Sequence, residues 1–241
     1  MKKLRLDQSL VQKSIVSTRS QAESYIKLGQ VKVNQEVVTK PGFLVGDSDE
    51  IKLTATEQYV SRAGLKLASV SRTLKLNFKD KIVLDVGSST GGFTDFALQN
   101  GASKVIAVDV GTNQLHPSLR TNSRIELHEK TDIRDIEQLS NNPDIIVIDV
   151  SFISLRDILP HLSKLASKSA QIVAMVKPQF EAGNSSLKHK GVIKNDAMRR
   201  TILKDFEAWA QKLFIIVDKA DSEVSGAKGN TERFYLLKPV K

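Results

Sequence analysis

The sequence predicts an α/β chain: seven strands in a mostly parallel sheet, covered by helices on both faces and preceded by a small α+β unit. Three observations predict it. Apolar runs rich in β-branched residues recur from residue 82 onward, with helix-period segments between them. The stretch Ile82–Val86 is followed by Gly87, Ser88, Ser89, Thr90, the pair Gly91-Gly92, and then Phe93, Phe96 and Ala97 at helical spacing, which reads as strand, glycine-rich turn and helix. The first 53 residues differ from the rest in both pattern and charge.

Through Gln35 the chain carries seven Lys and Arg residues (Lys2, Lys3, Arg5, Lys13, Arg19, Lys27 and Lys32) against two acids, Asp7 and Glu23. Thr18-Arg19-Ser20-Gln21 has the form of a capping box, Ala22, Tyr25 and Ile26 follow on one helical face, and Gly29 supplies a stop. Val31-Lys-Val33 and Val37-Val38 alternate around Asn34-Gln35, Pro41-Gly42 turns the chain, and a last strand is expected near Asp49–Leu53. Residues 1–53 are therefore read as one unit, the polar segment 54–59 as a linker, and 60–241 as the larger domain. A helix is expected from Val60. Leu65, Ala68 and Ser69 share one face of it, and Lys66 falls off that face, the ordinary place for a solvated lysine.

The expected strands are Ile82–Val86, Val105–Val110, Arg124–Leu127, Ile145–Asp149, Gln171–Val176, Phe214–Val217 and Phe234–Leu237, with helices near 93–99, 156–167 and 196–212. Pro160 stands in the first turns of the second helix, where it is best tolerated. Between the last two strands, Ala220–Thr231 has no helical pattern, so the final pair is expected as an antiparallel hairpin. The arrangement resembles the Rossmann-like sheet of class I methyltransferases.

Ligands of open α/β sheets sit beyond the carboxyl ends of the strands. A dinucleotide fingerprint starting at Gly87 would need glycine at position 89, which is Ser89, so NAD is disfavoured. Asp85, two residues before the first glycine, suits a ligand with a cationic amino group, as S-adenosylmethionine has. Asp109, at the end of the next strand, stands where a ribose with two hydroxyls would be gripped. Asp149 and Lys177 end the fourth and fifth strands, and Asp132 follows the third.

A formal charge of +9 and a pI near 9.6 point to a polyanionic partner. No apolar run reaches a membrane-spanning length and no signal-peptide pattern opens the chain, so a cytoplasmic protein without stable membrane association is expected. The absence of cysteine removes thiolate catalysis and cysteine metal sites, and His116, His128, His161 and His189 are too scattered to suggest a metal centre.

The pattern Arg19 to Lys27-x-Gly29-x-Val31-x-Val33-Asn34 resembles the alpha-L RNA-binding domain of a small-subunit ribosomal protein, heat-shock RNA binders and pseudouridine synthases. The resemblance implies phosphate contacts from Arg5, Arg19, Lys27 and Lys32, and Lys2, Lys3 and Arg62 complete the expected RNA-contacting set. Gln35 stands where that family often has glycine, which leaves the turn type open.

Six ordered blocks carry a second resemblance: Val60-Ser-Arg-Ala-Gly-Leu-Lys66-Leu, Asp85-Val-Gly-Ser-Ser-Thr-Gly-Gly-Phe-Thr-Asp95, Val108-Asp-Val-Gly111, Asp149-Val-Ser-Phe-Ile-Ser154, Val176-Lys-Pro-Gln-Phe-Glu-Ala-Gly183 and Lys228-Gly-Asn-Thr-Glu232. Together they resemble the TlyA family of ribosomal RNA 2′-O-methyltransferases, sometimes labelled haemolysins and related to FtsJ. The resemblance implies a catalytic tetrad of Lys66, Asp149, Lys177 and Glu232. Lys177, its proton loosened by a nearby Lys66 cation and by partial desolvation, would accept the ribose hydroxyl proton, with Asp149 and Glu232 orienting the lysines and keeping the cluster near neutrality. It also implies S-adenosylmethionine with its methionine end near Asp85, Gly87 and Gly91, its ribose on Asp109 and its adenine amino group near Asp132. The rest of the glycine-rich turn (Ser88, Ser89, Thr90, Gly92 and Phe93) is expected to line the same pocket. Asp132 reads equally well as a helix cap. Ala63, Ser88 and Ala227 depart from the family pattern, as do Thr112-Asn113 and His116-Pro117 beside the ribose-binding acid.

The leading expectation is methylation of ribosomal RNA, at cytidine ribose in 16S or 23S rRNA within ribosomal particles. Two alternatives are an RNA-binding ribosome-assembly factor without turnover and a membrane-lytic protein. The intact tetrad opposes the first, and the short, interrupted basic helix opposes the second.

Overall fold

Residues 3–55, 58–182, 193, 195–224, 226 and 229–240 are described by the computed structural model of the chain. It opens with β1 (Leu4–Arg5), α1 (Leu6–Gln12), α2 (Arg19–Lys27), β2 (Val31–Val33), β3 (Glu36–Val37), β4 (Leu44–Val45) and β5 (Ile51–Leu53). Thr18 caps α2, its side chain accepting from the Gln21 amide. β2 pairs antiparallel with both β3 and β5, and β1 with β4. Asn34 and Gln35 join β2 to β3 with φ of 49° and 71°, the signature of a type I′ turn. The Asn34 side chain steadies that turn by donating to Asp49 and accepting from the Glu50 amide. The turn type left open by Gln35 is thereby resolved.

α1 was not expected from the sequence. No side chain caps it, and the amides of Leu6 and Asp7 donate instead to the carbonyls of Phe43 and Pro41. Those partners are distant in sequence, so no local pattern announces the helix.

The larger domain runs α3 (Arg62–Ser71), β6 (Ile82–Val86), α4 (Gly92–Gln99), β7 (Lys104–Val108), α5 (Pro117–Arg120), β8 (Ile125–His128), β9 (Ile145–Ile148), α6 (Leu159–Leu165), β10 (Gln171–Val176), α7 (Pro178–Glu181), α8 (Asp196–Ala210), β11 (Phe214–Asp221) and β12 (Arg233–Pro239). The helix expected over 156–167 is divided into a 3-10 turn at Leu155–Asp157 and α6, with Pro160 at the start of α6. Seven strands lie in the order β11-β12-β10-β9-β6-β7-β8, with β12 antiparallel to its neighbours β10 and β11. The terminal hairpin is therefore as expected.

Alternation along the strands builds two apolar layers. Val83, Val105, Val147 and Val173 face α3 and α4 with Phe93, Phe96 and Leu67, while Leu84, Ile106, Ile146 and Ile172 face α6 and α8 with Leu162, Leu203 and Phe206. Both faces are covered, which is why these strands read as unbroken apolar runs. Tyr59, in the expected linker, is 3 % exposed and its ring centroid lies 5.5 Å from that of Phe96. Its carbonyl accepts from Gln21 of α2 at 2.6 Å, and the Val60 amide donates to Asp95 of α4 at 2.7 Å. Tyr59 and Val60 are thus hydrogen-bonded to both units where these join.

Candidate active site

The strand order reverses between β6 and β9, so the carboxyl ends of these two strands form the crevice where an α/β sheet takes its ligand. Gly87 follows β6 with φ of 80°, and a Cβ there would lie 2.7 Å from the Asp149 carbonyl. Only glycine lets the two strand ends meet so closely. A cavity of about 550 Å³ opens above them, and Lys66, Asp85, Gly87, Ser88, Ser89, Thr90, Phe93, Asp149, Lys177 and Glu232 all line it. Gly91 and Gly92 stand just behind that wall as the cap and first residue of α4.

Lys66, Asp149, Lys177 and Glu232 meet as two ion pairs. Lys66 Nζ lies 2.5 Å from Glu232 Oε2, and Lys177 Nζ lies 2.6 Å from Asp149 Oδ1 while donating to Ser151 Oγ at 2.8 Å. Both lysines are buried, with side chains 7 % and 9 % exposed. Lys66 leaves the apolar face of its helix and enters the cavity, although solvent is the ordinary place for a lysine at that spacing. Each lysine is paired with a carboxylate, Lys66 with Glu232 and Lys177 with Asp149.

Asp85 lies wholly buried beneath the cavity floor. Its Oδ2 accepts from Thr94 Oγ1 at 2.6 Å, and its Oδ1 has no hydrogen-bond partner. Burial, with some help from the charges of Asp149 and Asp109, pushes its carboxyl up to about 7 against the pull of the Thr94 hydrogen bond. Ser88 Oγ is also buried without a partner. Unpaired polar atoms in such a place are costly unless a ligand completes them.

A second cavity, of about 370 Å³, shares Gly87, Ser89, Asp149, Ser151 and Phe152 with the first and continues to Asp109 and Asp132. Asp109 accepts from the amides of Ser89 at 2.8 Å and Gly111 at 2.6 Å, which ties the glycine-rich turn to the next strand end. Asp132 does cap the 3-10 turn Ile133–Asp135, and hydrogen bonds from Arg134 hold its carboxyl below the ordinary range. It also lines the cavity beside the apolar wall of Val110, Val150, Ile153 and Ile158.

The expected RNA-contacting residues are dispersed. Arg5 and Arg19 converge on Asp7, which is fully buried: Arg5 Nη2 lies 2.9 Å and Arg19 Nε 2.8 Å from the same Asp7 oxygen. Burial pushes the Asp7 carboxyl up, but hydrogen bonds from the two arginines outweigh it and hold it below its ordinary range. Arg62 lines the first cavity, as do Thr18 and Ser20 from the N-terminal unit. Lys27 and Arg62 border a small recess beside it. Lys32 stands opposite Lys52 across β2 and β5. Lys3 is exposed, and Lys2 and Ala227 lie outside the described residues.

Sequence reasoning missed Phe152 and Ser151. Phe152 is 93 % exposed, has φ of 66° and lines both cavities. A bulky residue held left-handed and turned to solvent is a strained arrangement of the kind found at functional sites. Its position two residues before the end of the Asp149–Ser154 block was the available signal.

Comparison with known proteins bears on what this geometry serves. A family model described as FtsJ-like methyltransferase matches residues 59–238, and an S4 domain model matches residues 4–51. The chain is 44 % identical over 191 residues to the 23S rRNA (cytidine-2′-O)-methyltransferase TlyA of Campylobacter jejuni, spanning 78 % of this chain and 74 % of that one. It is 34 % identical over 242 residues to the 16S/23S rRNA (cytidine-2′-O)-methyltransferase TlyA of Mycobacterium tuberculosis, spanning 98 % and 90 %. The solved structure of a hemolysin-named protein from Streptococcus thermophilus matches with a TM-score of 0.74 at 38 % identity, over 100 % of this chain and 90 % of that one. Among the described residues no helix is long and apolar enough to cross a membrane.

Proposed function

Because the chain belongs to the FtsJ-like methyltransferase family and carries an S4 domain ahead of it, we propose that it transfers a methyl group from S-adenosylmethionine to the 2′-hydroxyl of a cytidine in ribosomal RNA. The observation that carries the reading is the pair of buried ion pairs, Lys66–Glu232 and Lys177–Asp149, lining the cavity beside the glycine-rich turn. Its relatives act on 16S and 23S rRNA by name, and ribosomal particles in the cytoplasm are the proposed substrate. Residues 1–53 would grip RNA and residues 60–241 would carry the transfer, joined through 54–59.

The buried acceptors fit the cofactor. Asp85 Oδ1, without a partner, suits an ammonium group, and Ser88 Oγ can accept or donate beside it. Asp109 keeps lone pairs for ribose hydroxyls beyond those used by two backbone amides. Asp132, with the apolar wall around it, would receive the adenine end. When bound, S-adenosylmethionine supplies an electrophilic methyl group on a sulfonium.

The chain's own residues do the rest. Lys177 Nζ is placed to take the proton of the attacking hydroxyl, and Asp149, 2.6 Å away, stabilises the ammonium that results. Lys66, fixed by Glu232, presents donors that orient the same hydroxyl. Phe152 offers an aromatic face at the cavity mouth on which an unstacked base can lie.

The test is transfer of tritiated methyl to ribosomal subunits and to naked ribosomal RNA, with nucleoside analysis of the product. Lys66→Ala and Lys177→Ala are each expected to lower transfer by at least ~100-fold, the scale of a lost acid–base group, while cofactor binding by calorimetry persists. Near-normal turnover in Lys177→Ala would remove that residue from the role. RNA binding without transfer in the wild type would leave an assembly factor instead.

A further inference from the structure

The block Val176-Lys-Pro-Gln-Phe-Glu181 contributes Lys177 to the proposed chemistry and leaves Glu181 unexplained. Glu181 is buried, its side chain 1 % exposed, in a position where a carboxylate is expensive unless it is hydrogen-bonded. Its two oxygens are used on two consecutive residues. Oε2 accepts from Ser154 Oγ at 2.7 Å, and Oε1 accepts from the Leu155 amide at 2.7 Å. Ser154 in turn caps the following 3-10 turn, its Oγ accepting from the Arg156 amide at 3.1 Å. Arg156 reaches back toward Glu181 at 3.5 Å, donates to Asp205 of α8 at 2.7 Å, and lies over the Trp209 ring.

The segment Asp149–Ser154 is therefore held at both ends by the single turn α7. Lys177, just before that turn, ties the near end through Asp149 and Ser151. Glu181, its last residue, ties the far end through Ser154 and Leu155. Phe152 stands between the ties, and its ring centroid is 5.3 Å from that of Phe180 on the same turn. A left-handed φ at a bulky residue is strained and persists only where its surroundings over-determine it. The two ties supply that constraint.

We infer that Glu181 is a positioning residue for methyl transfer: it fixes the Asp149–Ser154 segment so that Phe152 stays at the cavity mouth and Asp149 stays on Lys177. The inference rests on the methyltransferase reading for its consequence, but its geometric content can be tested without turnover.

Two measurements test it. In a Trp209→Phe background, Phe152→Trp places the only indole at the cavity mouth, and its steady-state anisotropy reports the order of the segment. Adding Glu181→Ala is expected to lower that anisotropy, and Glu181→Gln is expected to preserve it, because an amide can accept from Leu155 and donate to Ser154. An unchanged anisotropy in Glu181→Ala overturns the inference whatever the enzyme's activity. In transfer assays on the otherwise unaltered chain, Glu181→Ala should lower kcat by about 10- to 100-fold, the scale of a misplaced reacting group, with Glu181→Gln recovering most of it. Should Glu181→Ala fail to fold, Ser154→Ala removes one tie alone and is expected to give a smaller effect of the same sign; wild-type kcat and anisotropy there would overturn the proposal. Absence of transfer by the wild type would sink the methyltransferase reading and leave the anisotropy result to decide this one.

Discussion

Asp85 sets burial against charge at a single residue. Its carboxyl is pushed up to about 7 by desolvation, so near neutrality the folded chain holds a proton that the unfolded chain has released. Stability from this residue therefore falls as pH rises between about 4 and 7. A ligand ammonium against Oδ1 favours the ionised form and reverses the preference. S-adenosylmethionine affinity is thus expected to strengthen by up to about tenfold per pH unit as pH approaches 7 and to level off above it. Calorimetry in buffers of different ionisation enthalpy should show proton release on binding below 7. Asp85→Asn should bind more weakly with no such pH slope; a variant that keeps the slope would assign the titration to another group. Asp85 was legible because it sits at a strand end before the glycines. The burial of Lys66 was not, since helical spacing shows which residues leave one apolar face but not that a cavity waits on the other side. For Phe152 only its place in the Asp149–Ser154 block was a signal: its exposure and left-handed φ go with the ties of its neighbours Ser151 and Ser154 to Lys177 and Glu181, which lie in another part of the chain.

At the scale of elements, the contact of α3 with α4 places Lys66. A Cβ on Gly92 would lie 2.7 Å from Ala63 Cβ and 2.8 Å from the Gly64 amide nitrogen. The helices approach this closely only because no side chain separates them. Gly92→Ala is expected to push α3 outward and cost about 1–3 kcal/mol as overpacking does, seen as a lower Tm. Transfer should fall further than the loss of folded protein explains, because Lys66 rides on α3. If activity tracks the folded fraction alone, α3 has enough play to keep Lys66 on Glu232. Most elements were readable from period and punctuation, including the Thr18 cap and the closing hairpin. Those that were not, α1 and the β1–β4 pair, depend on backbone partners far along the chain. The last strands also extend beyond their apolar cores: β11 continues through Asp218–Asp221 because β12 supplies its ladder, whatever the side chains.

For the whole molecule, the distribution of charge decides how RNA would be held. Seven basic and two acidic residues through Gln35 account for more than half of the net +9. Not all of it is free to meet phosphate, since Arg5 and Arg19 share the buried Asp7 carboxylate and Arg19 also pairs with Glu23 at 3.6 Å. Each arginine side chain is still about half exposed, at 42 % and 51 %, so the arrangement fixes the pair in place without hiding it. Lys27 and Arg62 meet at the recess between the units, and Thr18 and Ser20 extend the N-terminal unit into the cavity wall. A strand gripped by the first unit would pass these residues on its way to the ion pairs. Binding measured by filter retention should weaken steeply with salt, and Lys27→Ala should make the log–log slope shallower by about 0.7–0.9, the value of one phosphate. Arg62→Ala separates two roles. A slope reduced by the same amount assigns it to a phosphate along the path. An unchanged slope with impaired transfer assigns it to the nucleotide inside the cavity, where it would act on orientation and leave the strength of the grip to the N-terminal unit.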